Sequence, residues 1–103
     1  MQISIQEEDK KDTILSAVSD KYSRIILEAT LDKPKTALEI SKECGIPIST
    51  AYRRLQDLHD AKLLKISGSI SDDGKKFFMY QSKVRGISTV FDGSRIDVQI
   101  IPN

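Results

Sequence analysis

The tripeptide Gly45-Ile46-Pro47 separates two stretches with helical hydrophobic spacing, and this arrangement constrains the fold more than any other feature of the chain. The first stretch, TALEISKEC, opens with Thr36 and Glu39 at the spacing of a capping box. Gly45 stands where a left-handed C-terminal cap is expected, and Pro47 fits the start of the next helix, where a missing N–H costs nothing. The sequence therefore predicts two helices joined by a tight turn.

The second helix of this pair is predicted from about Ile48 to Lys62, with a buried stripe of Ala51, Leu55 and Leu58. Another helix precedes the pair, in the run SDKYSRIILEATL. Ser19 or Asp20 is the expected N-cap, and Pro34 ends the run. The segment that starts at Asp12 forms either a short leading helix or an extension of this one.

After Lys62 the hydrophobic period changes from 3.6 to 2, which indicates strands. LLKISGSI and KKFFMYQSKV are predicted to pair around SDDG, and GISTVF and SRIDVQII around Asp92-Gly93. A two-residue type I′ turn at Asp92-Gly93 would place Phe91 opposite Ser94, Thr89 opposite Ile96 and Ile87 opposite Val98.

The length of 103 residues favours one domain, which we divide into three segments. Residues 1–11 are expected to be a flexible N-terminus, residues 12–84 to hold the helices and the first hairpin, and residues 85–103 to form the second hairpin. A free hairpin is marginal in water, so this one needs cover from the helices or from a second chain. Its apolar residues include Ile87, Val98, Ile100 and Ile101, which are too many to leave in contact with water.

Composition narrows the class of protein. No apolar run approaches the ~20 residues that span a bilayer, and MQISIQEEDKKD does not resemble a signal peptide. Cys44 is the single cysteine, so no intrachain disulfide forms, and we expect a cytoplasmic protein without membrane contact. The net charge is only +1, but residues 33–85 carry 11 Lys or Arg against 6 Asp or Glu. The positive charge is thus concentrated around the helix pair and the first hairpin.

The run from TALEIS through GIPISTAYRRLQDLHDAKLL to KKFFMY resembles the winged helix-turn-helix of ArsR- and MarR-like transcription regulators of archaeal type, over roughly residues 19–84. The resemblance implies an α+β fold with three or four helices and a β-hairpin wing, here followed by an additional C-terminal β-hairpin. It also implies a sequence-specific regulator of double-stranded DNA, acting as a homodimer and as a repressor that occludes a promoter.

Groove geometry supports a base-reading role for the start of the second helix of the pair. The major groove is about 12 Å wide and admits one helix, whose first residues must be short for the backbone to approach. Ser49 and Thr50 meet that need, and Tyr52 and Arg53 follow one turn later. Arg is the usual bidentate partner of guanine. Tyr52 is either a base reader or half-buried packing, and exposed Arg on a helix is often only a solvated face.

A second set of residues is predicted to contact phosphates, either beside this helix or from the wing: Lys35, Thr36, Lys42, Arg54, Lys75 and Lys76. Arg54 is angled for the phosphate backbone or for a salt bridge. Thr36 stands at a helix N-terminus, where the helix dipole favours an anion. Asp72 and Asp73 weaken the wing prediction because they repel phosphate.

Other functions find less support in the residues. Cys44 and His59 are too far apart to suggest a metal site, and Cys44 is expected to be a small core residue. No phosphate loop or nucleophile elbow indicates an enzyme, and no cofactor is expected. The main alternative is a winged helix that docks on protein in a transcription or other multiprotein assembly, and binding to RNA or modified nucleic acid is a weaker one.

Overall fold

The computed structural model describes all 103 residues, in four helices and five strands. None of the helices is long and apolar enough to cross a membrane. The elements in chain order are β1 (Ile3–Ser4), α1 (Glu8–Ser19), α2 (Lys21–Ala29), α3 (Ala37–Cys44), α4 (Ile48–Asp60), β2 (Leu64–Ile70), β3 (Lys76–Ser82), β4 (Val84–Phe91) and β5 (Ile96–Pro102).

The architecture confirms the predicted α+β class and the winged helix-turn-helix arrangement. α3 and α4 are the helix pair, and the antiparallel hairpin β2–β3 follows as the wing. The C-terminal hairpin β4–β5 belongs to a separate three-stranded sheet in the order β1-β5-β4. The core lies where the helices meet each other and the second sheet. Its residues that are at most 1% exposed include Ile26, Ile40, Ala51, Leu55, Leu58, Leu63 and Val98.

The start of the chain differs from the expectation of a flexible segment. Ile3–Ser4 pair with β5, and the N–H of Ile5 donates to the carbonyl of Val98 at 2.9 Å. α1 begins at Glu8 rather than at Asp12. Lys11 accounts for the earlier start, because its side chain is almost fully buried and its Nζ donates to the carbonyl of Ile96 at 2.9 Å.

Two helix boundaries are fixed by hydrogen bonds at the helix ends, one from a side chain and one from the backbone. Asp20 separates α1 from α2, so the leading helix is a separate one, and its carboxylate accepts from the N–H of Ser23 at 2.8 Å. α4 ends at Asp60, before the predicted Lys62. Lys62 adopts a left-handed φ of 62°, and the N–H of Leu63 returns to the carbonyl of Leu58 at 2.9 Å, which closes the helix.

The predicted register of the second hairpin is wrong by two residues. Phe91 lies opposite Ile96, and Thr89 lies opposite Val98. The loop is longer than a two-residue turn because the Asp92 carboxylate accepts from the backbone N–H groups of Ser94 and Arg95, both at 3.1 Å. A shift of two residues keeps every side chain on its predicted face, since the side-chain period of a strand is also two.

The C-terminal hairpin finds its cover on the helices of its own chain. Val98 is fully buried in the common core, and Ile87 and Ile100 pack against that core. Asn103 fixes the end of the hairpin, because its amide donates to the carbonyl of Leu31 at 2.7 Å and to that of Ser82 at 2.9 Å.

Candidate nucleic-acid interface

The predicted base-reading residues are held at the start of α4 by the turn that precedes it. Thr36 and Glu39 form the predicted capping box, with hydrogen bonds of 3.1 and 3.0 Å. Gly45 adopts the left-handed conformation expected of it, with φ at 66°. Ile46 is buried and its N–H donates to the carbonyl of Ser41 at 3.0 Å. The turn is thus anchored to the core on one side, and Pro47 then starts α4.

The buried stripe of α4 decides which of its side chains face solvent. Ala51, Leu55 and Leu58 are buried as predicted. Helical spacing therefore turns the opposite face outwards, and Ser49 and Arg53 are exposed there, four residues apart. Tyr52 is 56% exposed, which favours the surface alternative over packing in the core. Thr50 is half-buried at the edge of this face.

Arg54 points away from this exposed face. Of its two predicted roles, a phosphate contact and a salt bridge, it forms the salt bridge. Its Nε lies 2.8 Å from an Asp20 carboxylate oxygen, which also caps α2. Burial raises the pKa of Asp20, but the hydrogen bonds from Ser23 and Arg54 outweigh it and leave that pKa below its ordinary value. Arg54 therefore joins α4 to the start of α2.

The residues predicted to contact phosphates on α3 or just before it differ in whether their side chains already have partners. Lys42 is exposed in the last turn of the helix. Lys35 has its Nζ 2.6 Å from the Glu43 carboxylate, with a side chain only 15% exposed, and the hydrogen bond to Glu43 raises its pKa. The Thr36 oxygen accepts the N–H of Glu39 in the capping box, so its hydroxyl proton remains able to donate to an anion.

The wing carries two exposed lysines beside a charged carboxylate. Lys75 and Lys76 follow the tip of the hairpin, and the Nζ of Lys76 lies 5.3 Å from the centre of the Phe78 ring. The Asp73 carboxylate accepts from the Ser71 hydroxyl and from the N–H of Lys75, and both hydrogen bonds lower its pKa. Asp73 is thus anionic at neutral pH, and it opposes the attraction of these lysines for phosphate.

A cleft of about 360 Å³ joins these separate elements into one surface. Thr36 from the start of α3, Tyr52 from α4 and Lys76 from the wing all line it. The other lining residues are apolar or aromatic: Ala37, Leu38, Phe77, Phe78 and Tyr80. Lys76 is the only charged residue of the cleft, so its electrostatics favour an anionic occupant.

Leu38 and Phe78 were missed as site residues by sequence reasoning, although they are 55% and 48% exposed on this surface. The signal for Phe78 was the alternation of the second wing strand, which places Phe78 on the same face as Tyr80, another residue of the cleft. For Leu38 the helical pattern left either Ala37 or Leu38 on the buried face, and only packing decides that Ala37 is inside.

The two residues considered for a metal site lie in unrelated positions. Cys44 is half-buried against the core, and that burial raises the pKa of its thiol. A raised pKa lowers the thiolate fraction, which is the reactive form. His59 is exposed on α4. No three His, Cys, Asp or Glu side chains come together as a metal-binding group.

Comparison with known proteins agrees with this geometry. Residues 18–66 match a family of helix-turn-helix domains. A solved structure from Methanosarcina mazei Go1, described as a "possible transcriptional regulator", is similar with a TM-score of 0.58 at 19% identity. The likeness covers 81% of this chain and 76% of that one, and at this identity it shows the fold. No curated protein matches the sequence.

Proposed function

We propose that the chain is a cytoplasmic, sequence-specific regulator of transcription that binds double-stranded DNA. The observation that carries the proposal is the cleft that unites Thr36, Tyr52 and Lys76 beside the exposed Ser49 and Arg53. Polar, aromatic and cationic groups from three elements thereby form a single surface, as a winged helix on a duplex requires. The matched helix-turn-helix family and the description of the Methanosarcina neighbour support the proposal.

In this proposal the start of α4 enters the major groove. Ser49 and Thr50 allow close approach, while Tyr52 and Arg53 contact base edges. Lys42 and Thr36 hold the phosphate backbone beside α3, and Lys35 adds charge there although it is paired with Glu43. Lys75 and Lys76 reach the backbone or minor groove next to the wing. Arg54 acts through its salt bridge with Asp20 rather than on phosphate.

We further propose the ArsR- and MarR-like, archaeal type of regulator that the resemblance implies. A single winged helix makes few contacts, and two copies on successive major grooves about 34 Å apart gain both affinity and specificity. A homodimer that covers a promoter would act as a repressor.

Fluorescence anisotropy with random duplex DNA at low and moderate salt tests the proposal. We expect binding whose affinity falls steeply with salt, by a logarithmic slope of about 0.9 for each phosphate contacted. Absence of binding at low salt would favour the protein-interaction alternative. Stronger binding to single-stranded or RNA competitors than to duplex would favour the RNA alternative.

The base-reading role of Arg53 is tested with a duplex selected from a random library. We expect Arg53→Ala to weaken binding to the selected site by about 1–3 kcal/mol, and binding to random duplex by less. Arg53→Lys is the matched control, because it keeps the charge but loses the planar fork that pairs with guanine. It should keep non-specific binding and lose specificity. Equal losses on both duplexes in Arg53→Ala would refute base reading.

A further inference from the structure

Strand β4 has one free edge. In the sheet order β1-β5-β4, β4 pairs with β5 on one side and has no strand on the other. The straight part of this edge is residues 87–91, between a bulge at Val84/Gly86 and the turn at Asp92. Proteins usually protect such edges with Lys, Pro or a bulge. The bulge of β4 lies before Ile87, and residues 87–91, ISTVF, contain neither Lys nor Pro.

Hydrogen bonds elsewhere in the sheet show which backbone groups point out of this edge. The carbonyl of Val98 accepts from Ile5, so the backbone of Val98 faces β1. Thr89 lies opposite Val98, and this pair therefore makes no hydrogen bonds between β4 and β5. The N–H and C=O of Thr89 must then point to the free edge. By alternation, the same holds for Ile87 and Phe91.

The same three residues also lie on the helix-facing side of the sheet. Val98 is fully buried on that side, and Thr89 lies opposite Val98 and shares its face. Ile87 and Phe91 lie two residues from Thr89, so their side chains point to the same face. Ile87 and Thr89 line a groove of about 330 Å³ against the ends of α1 and α2. Its apolar lining includes Val18, Leu27 and Leu31, and the charged residues Arg24, Glu28 and Arg85 also line it. Phe91 lies beyond the groove and is 70% exposed. One edge thus carries both a groove and an exposed ring.

We propose that two copies of this chain pair through β4, antiparallel, with the two-fold axis at Thr89, so that both three-stranded sheets join. The proposal rests on the proposed dimeric state and names its interface. Thr89 then exchanges hydrogen bonds with the partner's Thr89, and Ile87 with the partner's Phe91. Every outward N–H and C=O of residues 87, 89 and 91 is satisfied, and a register shifted by two residues leaves one of the three residues without a partner.

Side chains support a second copy as the occupant of this edge. Opposite residues of a hydrogen-bonded antiparallel pair have Cα atoms about 5.5 Å apart, so the partner's Phe91 lies beside Ile87 and over the groove. The guanidinium of Arg85 donates to the Asn103 side chain at 2.9 Å and lies 4.0 Å from the Asp32 carboxylate, yet the Arg85 side chain remains 58% exposed. In the proposed dimer it lies opposite the partner's turn at Asp92. The hydrogen bonds from Ser94 and Arg95 keep the pKa of Asp92 low, so this contact joins opposite charges.

Cysteine cross-linking tests the register. Ser88 and Val90 are exposed on the other face, and the proposed axis places each opposite the other residue of the partner, at a Cα separation of about 4.5 Å that suits a disulfide. In a Cys44→Ser background, we expect Ser88→Cys/Val90→Cys to form a disulfide-linked dimer under mild oxidation. Neither single variant should do so. A dimer from Val90→Cys alone or Ser88→Cys alone would place the axis elsewhere and overturn the proposal.

Sedimentation separates this inference from the proposed function. Thr89→Pro removes the Thr89 N–H, which points out of the free edge at the two-fold axis and donates to no group of β5. The variant should raise the dimer dissociation constant at least about tenfold. Thr89→Val keeps the N–H and should stay dimeric. If the wild-type chain is dimeric but the double cysteine variant does not cross-link, the edge pairing is overturned while DNA binding stands. The same conclusion follows if Thr89→Pro dimerises as strongly as the wild-type chain. Cross-links in a chain that binds no duplex support the pairing and refute the regulator.

Discussion

The two hairpins of the molecule have similar sequences at their turns but opposite surroundings. Both are antiparallel, and both turns contain Asp followed by a glycine with positive φ, Gly74 at 83° and Gly93 at 92°. In the wing, β2 is exposed along its whole length after Leu64. In the C-terminal hairpin, Val98 is fully buried under the helices. An alternating pattern therefore specifies a hairpin, while the helices decide which hairpin becomes core.

The tips of the two hairpins also differ in the number of cations they carry. The wing has Lys75 and Lys76 next to its turn, and its exposed apolar residues include Ile70 at 72% exposure. The C-terminal tip offers Arg95 as its only cation. The more exposed hairpin thus carries the cations that the proposed contact with DNA requires, whereas the C-terminal hairpin contributes Val98 to the core. This division of roles is open to test.

The largest expected effect is on stability, from Val98→Ala in the covered hairpin. The loss of two buried methyl groups and the cavity that remains should lower the free energy of unfolding by about 2 kcal/mol. Ile70→Ala in the wing is the matched control and should change it by less than about 0.5 kcal/mol. Urea denaturation followed by circular dichroism measures both. Similar losses in the two variants would mean that the wing is also covered in solution.

The next effect is on DNA affinity, from Lys75→Ala/Lys76→Ala in the wing. The double variant should bind every duplex about tenfold more weakly and reduce the salt slope by about 2, because two phosphate contacts are lost. Arg95→Ala removes a cation from the other tip and should leave both quantities unchanged. An unchanged slope in the lysine variant would remove the wing from the proposed interface.

The sequence predicted the elements whose determinants are local. The capping box of Thr36 and Glu39, the left-handed Gly45 and the stripe of Ala51, Leu55 and Leu58 all depend on neighbours within one or two turns, and all are confirmed. The register of the second hairpin failed because the Asp92 carboxylate holds a longer turn. An Asp-Gly pair is compatible with a two-residue turn and with a longer loop. Here the hydrogen bonds of the Asp92 side chain stabilise the longer loop.

Long-range pairing was beyond sequence reasoning. Nothing near Lys11 in the chain indicates that its ammonium donates to the carbonyl of Ile96, or that Ile3–Ser4 pair with β5. At the candidate site, helical spacing correctly turned Ser49 and Arg53 outwards. The sequence did not indicate which carboxylates would pair with Arg54 and Lys35. Asp20 and Glu43 are two of many acidic residues in the chain, and only the fold brings them next to these cations.

The smallest expected effects come from the two turn carboxylates, Asp73 in the wing and Asp92 in the C-terminal hairpin. Hydrogen bonds from Ser71 and Lys75 lower the pKa of Asp73, and those from Ser94 and Arg95 lower that of Asp92. Because both values lie below that of an unfolded Asp, about 3.9, each turn is most stable above that pH and loses its contribution as pH falls through the folded value. Carboxyl ¹³C NMR titration measures both.

Substitution of the same two residues tests whether the two hairpins differ in function, because Asp73 lies beside the wing lysines and Asp92 does not. Asp73→Asn removes a negative charge next to Lys75 and should strengthen duplex binding by about twofold at low salt. Asp92→Asn, measured at a protein concentration at which sedimentation shows the variant to be fully dimeric, should leave duplex binding unchanged. If both carboxyls titrate at the ordinary value, the hydrogen-bonded turns do not persist in solution. If Asp92→Asn strengthens binding as much as Asp73→Asn does, then the C-terminal tip also faces the duplex, and the two hairpins share the role assigned to the wing.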